Sequence, residues 1–140
     1  MTETREIRLT ELDVVRLERT LMEILRTSPG ESQGTAELET LLDSAAIVPS
    51  RAIAADVVTM NSTVVLVSRP SGERSTLTLV YPKDADPDEG RVSVLSPLGR
   101  ALIGAHVGEV VRVLVPGYGA REFALAELSF QPEASGRFDL

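Results

Sequence analysis

Cysteine and tryptophan are absent from this sequence of 140 residues, which contains one histidine, two tyrosines and three phenylalanines. Without cysteine, the chain can form neither a disulfide nor a thiolate nucleophile, and it has no cysteine ligands for a metal. A single histidine excludes a multi-histidine metal site. Because aromatic residues are few, we expect an aliphatic core.

Long apolar runs are lacking as well. No stretch approaches the roughly 18 consecutive apolar residues that predict a membrane-spanning helix. The N-terminal sequence Met-Thr-Glu-Thr-Arg-Glu has no apolar segment of the kind found in signal peptides. We therefore expect neither a signal peptide nor a membrane span, and we expect the protein to be cytoplasmic.

Positive charge is scarce, since the net charge is −7 at neutral pH. Residues 1–46 hold five arginines against ten acidic residues, so they account for −5 of this total. Affinity for nucleic acid depends largely on Lys and Arg contacts to phosphates. Direct DNA or RNA binding is therefore disfavoured, and a basic protein surface is the more plausible partner.

The first 46 residues have the pattern of a helical hairpin. Thr10 is a candidate N-cap, and apolar residues at helical spacing predict a first helix from Glu11 to about Arg26. Proline and glycine interrupt the pattern before a second helix from about Thr35 to Ala45. The apolar stripe of this short coiled-coil-like antiparallel hairpin could seal against itself, pack on the rest of the chain or support a dimer.

Residues 56–140 are rich in predicted strands, and residues 47–55 form a linker marked by Pro49. Ser96, Pro97 and Gly104 delimit one short helix, because they suit its N-cap, its first position and its C-terminal turn. The predicted strands are Val57–Met60, Thr63–Ser68, Ser75–Tyr81, Val92–Leu95, Val110–Val115 and Ala120–Phe130. The fold class is therefore α+β, with a twisted antiparallel sheet and one short helix beside the hairpin.

Several motifs carry a resemblance to a known family. One motif runs through Ser96, Pro97, Arg100, Ala101, Leu102, Gly104, Val107 and Gly108. It resembles the C-terminal domain of the Gre transcript-cleavage factors, which implies an FKBP-like fold for residues 56–140. The strings Asp56-Val-Val-Thr-Met-Asn-Ser and Phe130-Gln-Pro-Glu-Ala-Ser-Gly-Arg-Phe-Asp-Leu are similar to the Rnk-like members (regulators of nucleoside diphosphate kinase) of the GreA/GreB transcription elongation factor family.

The resemblance directs attention to the hairpin tip, Ser28, Pro29, Gly30 and Glu31. In Gre factors a pair of acidic residues at this tip completes a Mg²⁺ site in RNA polymerase and so stimulates transcript cleavage. Here Glu31 stands alone, and Glu37 follows six residues later inside the second predicted helix. A first helix of about 16 residues also reaches only about 24 Å. We therefore predict a protein that is not an enzyme, with cleavage through Glu31 and Glu37 as the alternative and a prolyl isomerase or chaperone module as a third possibility.

The resemblance also implies a docking site. In Gre factors the turn before the short helix contacts the rim of the polymerase secondary channel, on the largest subunit. The candidate residues are Leu95, Ser96, Pro97 and Arg100, with Leu95 where the family has an aspartate. Alternatively, Ser96 and Pro97 serve only as a helix cap. The implied function is competition with Gre-type factors by a monomeric regulator that binds bacterial RNA polymerase.

No other motif predicts chemistry. Asp84, Asp86 and Asp88 have the spacing that begins a calcium-binding loop, but Leu95 occupies the position of the required bidentate glutamate. A solvated acidic loop is the favoured interpretation, and His106 is interpreted as a turn residue. We predict no catalytic residue, no cofactor and no metal ion.

Overall fold

The computed structural model describes residues 7–27, 33–69, 71–115, 117 and 119–137. Within these ranges the chain forms seven strands and three α-helices. The strands are β1 Arg8–Thr10, β2 Ala46–Val48, β3 Thr63–Arg69, β4 Arg74–Val80, β5 Arg91–Ser93, β6 Val110–Val115 and β7 Gly119–Phe130. The helices are α1 Glu11–Thr27, α2 Gln33–Ser44 and α3 Pro97–Leu102.

The two helices of the predicted hairpin lie between two short strands. Strand β1 leads directly into α1, and α2 is followed by β2, which pairs in parallel with β1. Thr10 caps α1 as predicted, because its Oγ1 accepts a hydrogen bond of 3.1 Å from the backbone N of Asp13. The predicted linker 47–55 therefore begins inside a strand, and β1 and β2 hold the two ends of the hairpin side by side.

The main sheet has five strands in the order β5-β4-β3-β7-β6. The predicted antiparallel pairing holds for β3 with β4, β3 with β7 and β6 with β7, but it is wrong for β5, which pairs in parallel with β4. Residues 81–90 separate these two strands and contain two short 3₁₀ turns. A connection of this length lets Arg91 enter beside Thr78, so that β5 runs in the same direction as the last residues of β4, whereas a tight hairpin turn would have reversed the chain.

The predicted strand Val57–Met60 is also wrong. Val57 makes an isolated bridge with His106, and the residues after it form no ladder. Their backbone groups bond to separate elements: Val58 N donates to Ala105 O at 2.8 Å, and Asn61 N donates to Leu79 O at 2.7 Å. Four consecutive buried residues resemble a strand in sequence, but here they cross the interior as irregular backbone.

One hydrophobic core joins the hairpin to the main sheet. Leu17 and Leu21 of α1 and Leu38 of α2 belong to the same buried cluster as Met60 and Leu79. The largest fully buried side chains among the described residues are Leu, Ile, Val and Met, which confirms the expected aliphatic core. The apolar stripe of the hairpin thus packs on the β-rich part of the chain. None of the described helices is long and apolar enough to cross a bilayer.

Candidate docking site

The turn before α3 is held by a network centred on two serines. Ser96 Oγ accepts a bond of 3.0 Å from Gly99 N and donates one of 2.7 Å to Ser93 O. Ser93 Oγ in turn accepts a bond of 3.0 Å from Leu95 N. Ser96 is therefore a helix N-cap, as predicted, with Pro97 as the first helical residue. The network fixes the direction in which α3 leaves β5.

Gly99 is required by the packing of α3, a role that the sequence alone does not predict. A Cβ atom at this position would lie 2.0 Å from the backbone oxygen of Ser93 and 2.9 Å from Cα of Val94. Such distances are far below van der Waals contact, so α3 can approach β5 this closely only with glycine there. The signal in the sequence was a glycine inside a helix, where glycine is otherwise unfavourable.

Arg100 is engaged within the molecule. Its Nη2 lies 2.6 Å from Glu37 Oε2 on α2, and its Nη1 donates a hydrogen bond to Leu95 O. Only 16% of the Arg100 side chain is exposed, against 43% of Glu37. The guanidinium therefore joins the hairpin to the turn before α3. The prediction that Arg100 contacts a partner directly remains a prediction.

An open groove of about 750 Å³ lies beside this turn, between α2, α3 and β6. Its apolar lining includes Leu41, Pro97, Ala101 and Leu114. Leu114 is 75% exposed, the largest exposure among the large apolar side chains described. We name this surface the α3 groove. The groove places the exposed Leu114 beside the apolar atoms of Leu41, Pro97 and Ala101, and contiguous exposed apolar surface of this kind is a feature of surfaces that bind other proteins.

The structure brings together some of the predicted site residues. Pro97 and Arg100 line the α3 groove, whereas Leu95 and Ser96 build the half-buried turn at its side. Leu114 was not predicted, although strand alternation could have identified it. Val111 and Val113 are buried, so Leu114 occupies an outward position that a polar residue would normally fill.

The other residues considered for chemistry do not converge on one point. The hairpin tip, Ser28, Pro29, Gly30 and Glu31, lies outside the described residues. Among the residues that are described, no group of three His, Asp or Glu side chains could hold a metal ion. His106 is exposed and forms the isolated bridge with Val57 just before a turn, and its backbone N donates to Glu109 Oε1 at 3.2 Å.

A buried polar cluster connects α1 to the irregular segment before β3. Asp13 Oδ2 accepts a bond of 3.0 Å from Met60 N, and Glu133 Oε1 accepts one of 2.7 Å from Thr59 Oγ1. Burial, opposed by the Met60 hydrogen bond and reinforced by the nearby Glu133 charge, raises the pKa of Asp13 to about 7. Burial and the neighbouring Asp13 also raise the pKa of Tyr81. We name these four residues, Asp13, Thr59, Tyr81 and Glu133, the hairpin anchor.

Comparison with known proteins gives a consistent result. Residues 53–129 match the family described as "Transcription elongation factor, GreA/GreB, C-term". That range contains the turn before α3, the short helix itself and the β6 wall of the α3 groove.

Individual relatives and a solved structure agree with this match. The chain is 38% identical over 97 residues to the "Regulator of nucleoside diphosphate kinase" of Escherichia coli, covering 69% of this chain and 71% of that protein. It is 38% identical over 94 residues to the "Transcription elongation factor GreA" of Mesorhizobium japonicum, covering 67% of this chain but only 59% of that protein. The structure of a "Prokaryotic transcription elongation factor GreA/GreB from Nitrosomonas europaea" superposes with a TM-score of 0.73 at 38% identity, covering 89% of this chain and all of that one.

Proposed function

Because this chain belongs to the GreA/GreB transcription elongation factor family, we propose that it is a cytoplasmic regulator that binds bacterial RNA polymerase. In this proposal residues 56–140 form an FKBP-like docking domain. The α3 groove and the turn before α3 contact the rim of the secondary channel on the largest subunit. The protein then competes with Gre-type factors by occupying their site.

One observation carries this proposal. The α3 groove combines an exposed apolar side chain, Leu114, with the rigid turn built by Ser93 and Ser96. A prearranged surface loses little conformational freedom on binding, and an exposed leucine gains by leaving water. The acidic character of the chain further favours a basic partner surface over nucleic acid.

We further propose that the protein does not stimulate transcript cleavage. Recruiting a second Mg²⁺ needs carboxylates that can converge on one ion. Glu37, considered as a partner for Glu31 only in the alternative function, has its Oε2 2.6 Å from Arg100 Nη2 and so is already bound within the protein. Helix α1 has 17 residues and spans only about 25 Å. These features support occupancy of the channel entrance without catalysis.

A competition experiment tests the docking proposal. Labelled GreA bound to core RNA polymerase is titrated with this protein, and displacement is followed by fluorescence anisotropy. We expect displacement by the wild type, and by Leu114→Glu only at concentrations at least about tenfold higher, because a buried charge replaces an apolar contact. Val110→Glu is the matched control, since Val110 is an exposed residue of the same strand outside the α3 groove.

Two results would contradict the proposal. Failure of the wild type to bind polymerase at low salt would exclude the proposed function, and equal displacement by Leu114→Glu would mean that the docking surface lies elsewhere.

Adding the protein to a backtracked elongation complex tests the proposal that it does not stimulate transcript cleavage. If the wild type shortens the RNA and Glu31→Ala does not, the protein stimulates transcript cleavage.

A further inference from the structure

A second cleft lies between α1 and the turn that follows β4. Residues on one face of α1, from Arg16 to Ile24, form one wall, and residues 81–84 together with Asn61 form the rest of the lining. The cleft is open and has a volume of about 810 Å³. We name it the α1 cleft. It shares no residue with the α3 groove, so the proposed function gives it no role.

Three cationic side chains line the α1 cleft, although the chain has a net charge of −7. Arg16 and Arg19 lie three residues apart on α1 and therefore on one face of the helix, while Lys83 comes from the turn. Arg16 also interacts electrostatically with the buried Asp13. Arg19 and Lys83 are exposed, and within the described residues neither side chain forms a hydrogen bond or an ion pair. The charges of Arg19 and Lys83 are therefore available to a ligand.

Two acidic side chains also line the cleft, and they are compensated differently. Glu23 Oε1 lies 2.7 Å from Arg26 Nη2, and this hydrogen bond lowers the pKa of Glu23. The charge of Glu23 is therefore already opposed by a cation. Asp84 is exposed, and its carboxylate has no ion pair within the part of the chain that the structure describes. The unpaired charges of Arg19 and Lys83 thus outnumber that of Asp84, and the cleft favours an anion.

The rest of the lining offers a neutral donor and apolar surface. Asn61 adopts a left-handed backbone conformation, with a φ angle of 68°, and its side-chain amide has no hydrogen-bond partner within the described ranges. An amide N–H group of this kind can donate to an anionic oxygen. Ile24, Tyr81 and Pro82 contribute apolar surface. The lining therefore suits a ligand that combines anionic oxygens with an organic body.

We propose that the α1 cleft binds a small organic diphosphate, with the phosphate oxygens bound by Arg19 and Lys83 and the organic part lying on Ile24 and Pro82. Guanidinium and ammonium groups both bind phosphate oxygens through charge-assisted hydrogen bonds. The charges of two phosphate groups outweigh the single unpaired carboxylate of Asp84. The volume of the cleft is typical of small-molecule sites. A long polyanion such as nucleic acid is disfavoured, because the rest of the chain is acidic. This inference is independent of the proposed function.

Isothermal titration calorimetry with ADP as the probe tests the proposal. We expect ADP to bind, and inorganic pyrophosphate to bind more weakly because it lacks the organic part. Lys83→Gln should raise the dissociation constant of ADP at least about tenfold, because a charge-assisted contact is lost. Asp84→Asn should lower that constant, since it removes the opposing charge. Arg121→Gln is the matched control, because it removes one positive charge at an exposed position of β7 outside the cleft, and it should bind ADP like the wild type.

Three results would overturn the inference. The first is the absence of ADP binding at millimolar concentrations. The second is equal weakening by Lys83→Gln and Arg121→Gln, which would indicate a general effect of net charge. The third is pyrophosphate binding as tightly as ADP, which would leave the organic part without a contact. Circular dichroism establishes that each variant is folded.

Lys83 is the only lysine in the sequence, so its accessibility can be followed chemically. The protein is treated with an amine-selective acetylating reagent with and without ADP, and modification is measured by mass spectrometry with the N-terminal amine as internal reference. We expect saturating ADP to slow acetylation of Lys83 and to leave the N-terminal amine unaffected. Arg19→Gln should reduce this protection at the same ADP concentration. Binding of ADP without protection of Lys83 would mean that the ligand lies elsewhere and would overturn the inference.

Discussion

Asp13 is the residue whose surroundings differ most from what its position suggests. An acid in the first turn of a helix normally faces water and stabilises the helix dipole. Here the side chain is fully buried, and its Oδ1 has no hydrogen-bond partner. Glu133 lies close enough to raise the pKa of Asp13 further, while Arg16 and Thr10 lower it. Burial of the Asp13 carboxyl therefore destabilises the fold by an amount that increases as the group ionises with rising pH.

We expect folding stability to fall as pH rises from about 4 to about 7. The pKa of Asp13 is 3.8 in the unfolded chain and about 7 in the fold, so the folded state retains the proton that the unfolded state releases. The loss approaches about 4 kcal/mol if Asp13 alone contributes. Urea denaturation across this pH range measures it.

Asp13→Asn is the matched variant for this pH effect. Its amide oxygen can still accept the bond from Met60 N, but it cannot ionise. We expect the variant to lack most of the pH dependence and to be more stable than the wild type at pH 8. If both proteins show the same slope between pH 4 and 7, Asp13 does not cause the pH dependence.

Gly99→Ala should destabilise the protein although alanine is the better helix former. The added methyl group would meet Ser93 O at 2.0 Å, and that oxygen is backbone and cannot rotate away. We expect a loss of about 1–3 kcal/mol in the free energy of unfolding. A thermal melt at or above the wild-type temperature would mean that β5 and α3 can separate.

At the scale of elements, Glu37 and Arg100 connect α2 to the turn before α3. We expect Glu37→Gln and Arg100→Met each to destabilise by roughly 1 kcal/mol, a modest value because Glu37 is partly exposed. In a double-mutant cycle the two losses should be less than additive, since both remove the same contact. Additive losses would show that the pair is not coupled in solution.

Glu37→Gln and Arg100→Met also test whether Arg100 contacts the polymerase directly or only positions the turn before α3. If Arg100 only positions the turn, both variants should weaken displacement of GreA from polymerase to a similar degree. A loss confined to Arg100→Met would instead indicate direct contact with the partner. Displacement and unfolding are measured on the same preparations, so that changes in stability and docking can be separated.

The sequence was sufficient for elements whose signals are local. Thr10 and Ser96 were identified as N-caps, and both side chains accept the expected backbone bonds. Gly104 was expected to adopt a left-handed conformation, and its φ angle is +80°. In each case one to four neighbouring residues determine the geometry, so no knowledge of the rest of the chain is needed.

Other features depended on tertiary contacts that no local pattern encodes. Residues 57–60 have strand-like composition, yet the backbone groups of Val58 bond to Gly104 and Ala105 and to no neighbouring strand. The parallel pairing of β5 depends on the path of a ten-residue loop, 81–90. In the α3 groove, Leu41 and Leu114 come from elements far apart in sequence. Only the motif around Ser96 indicated where this surface lies.

At the scale of the whole molecule, one continuous hydrophobic core spans the boundary that the sequence predicts between residues 1–46 and the rest of the chain. Leu9, Leu17 and Leu38 of the first 46 residues are fully buried against the remainder. Composition and proline placement indicated a linker, but burial shows that the hairpin contributes to the same interior as the main sheet. The two parts are therefore expected to fold as one cooperative unit.

Removal of residues 1–46 tests this expectation. The shortened chain would expose Met60, Leu79 and their neighbours to water, at about 25 cal/mol for each Å² of apolar surface. We expect it to lose cooperative thermal unfolding and to bind a hydrophobic dye. A sharp unfolding transition close to that of the full chain would show that residues 47–140 are an autonomous domain.

The pairing of β1 with β2 has a consequence for how this architecture can vary. Both ends of the hairpin are fixed at one place, and the buried residues of α1 stop at Leu21, well before the helix ends at Thr27. Residues inserted between 27 and 33 would lengthen the arm without changing its attachment. The length of the hairpin can therefore change while its attachment to the rest of the protein stays the same.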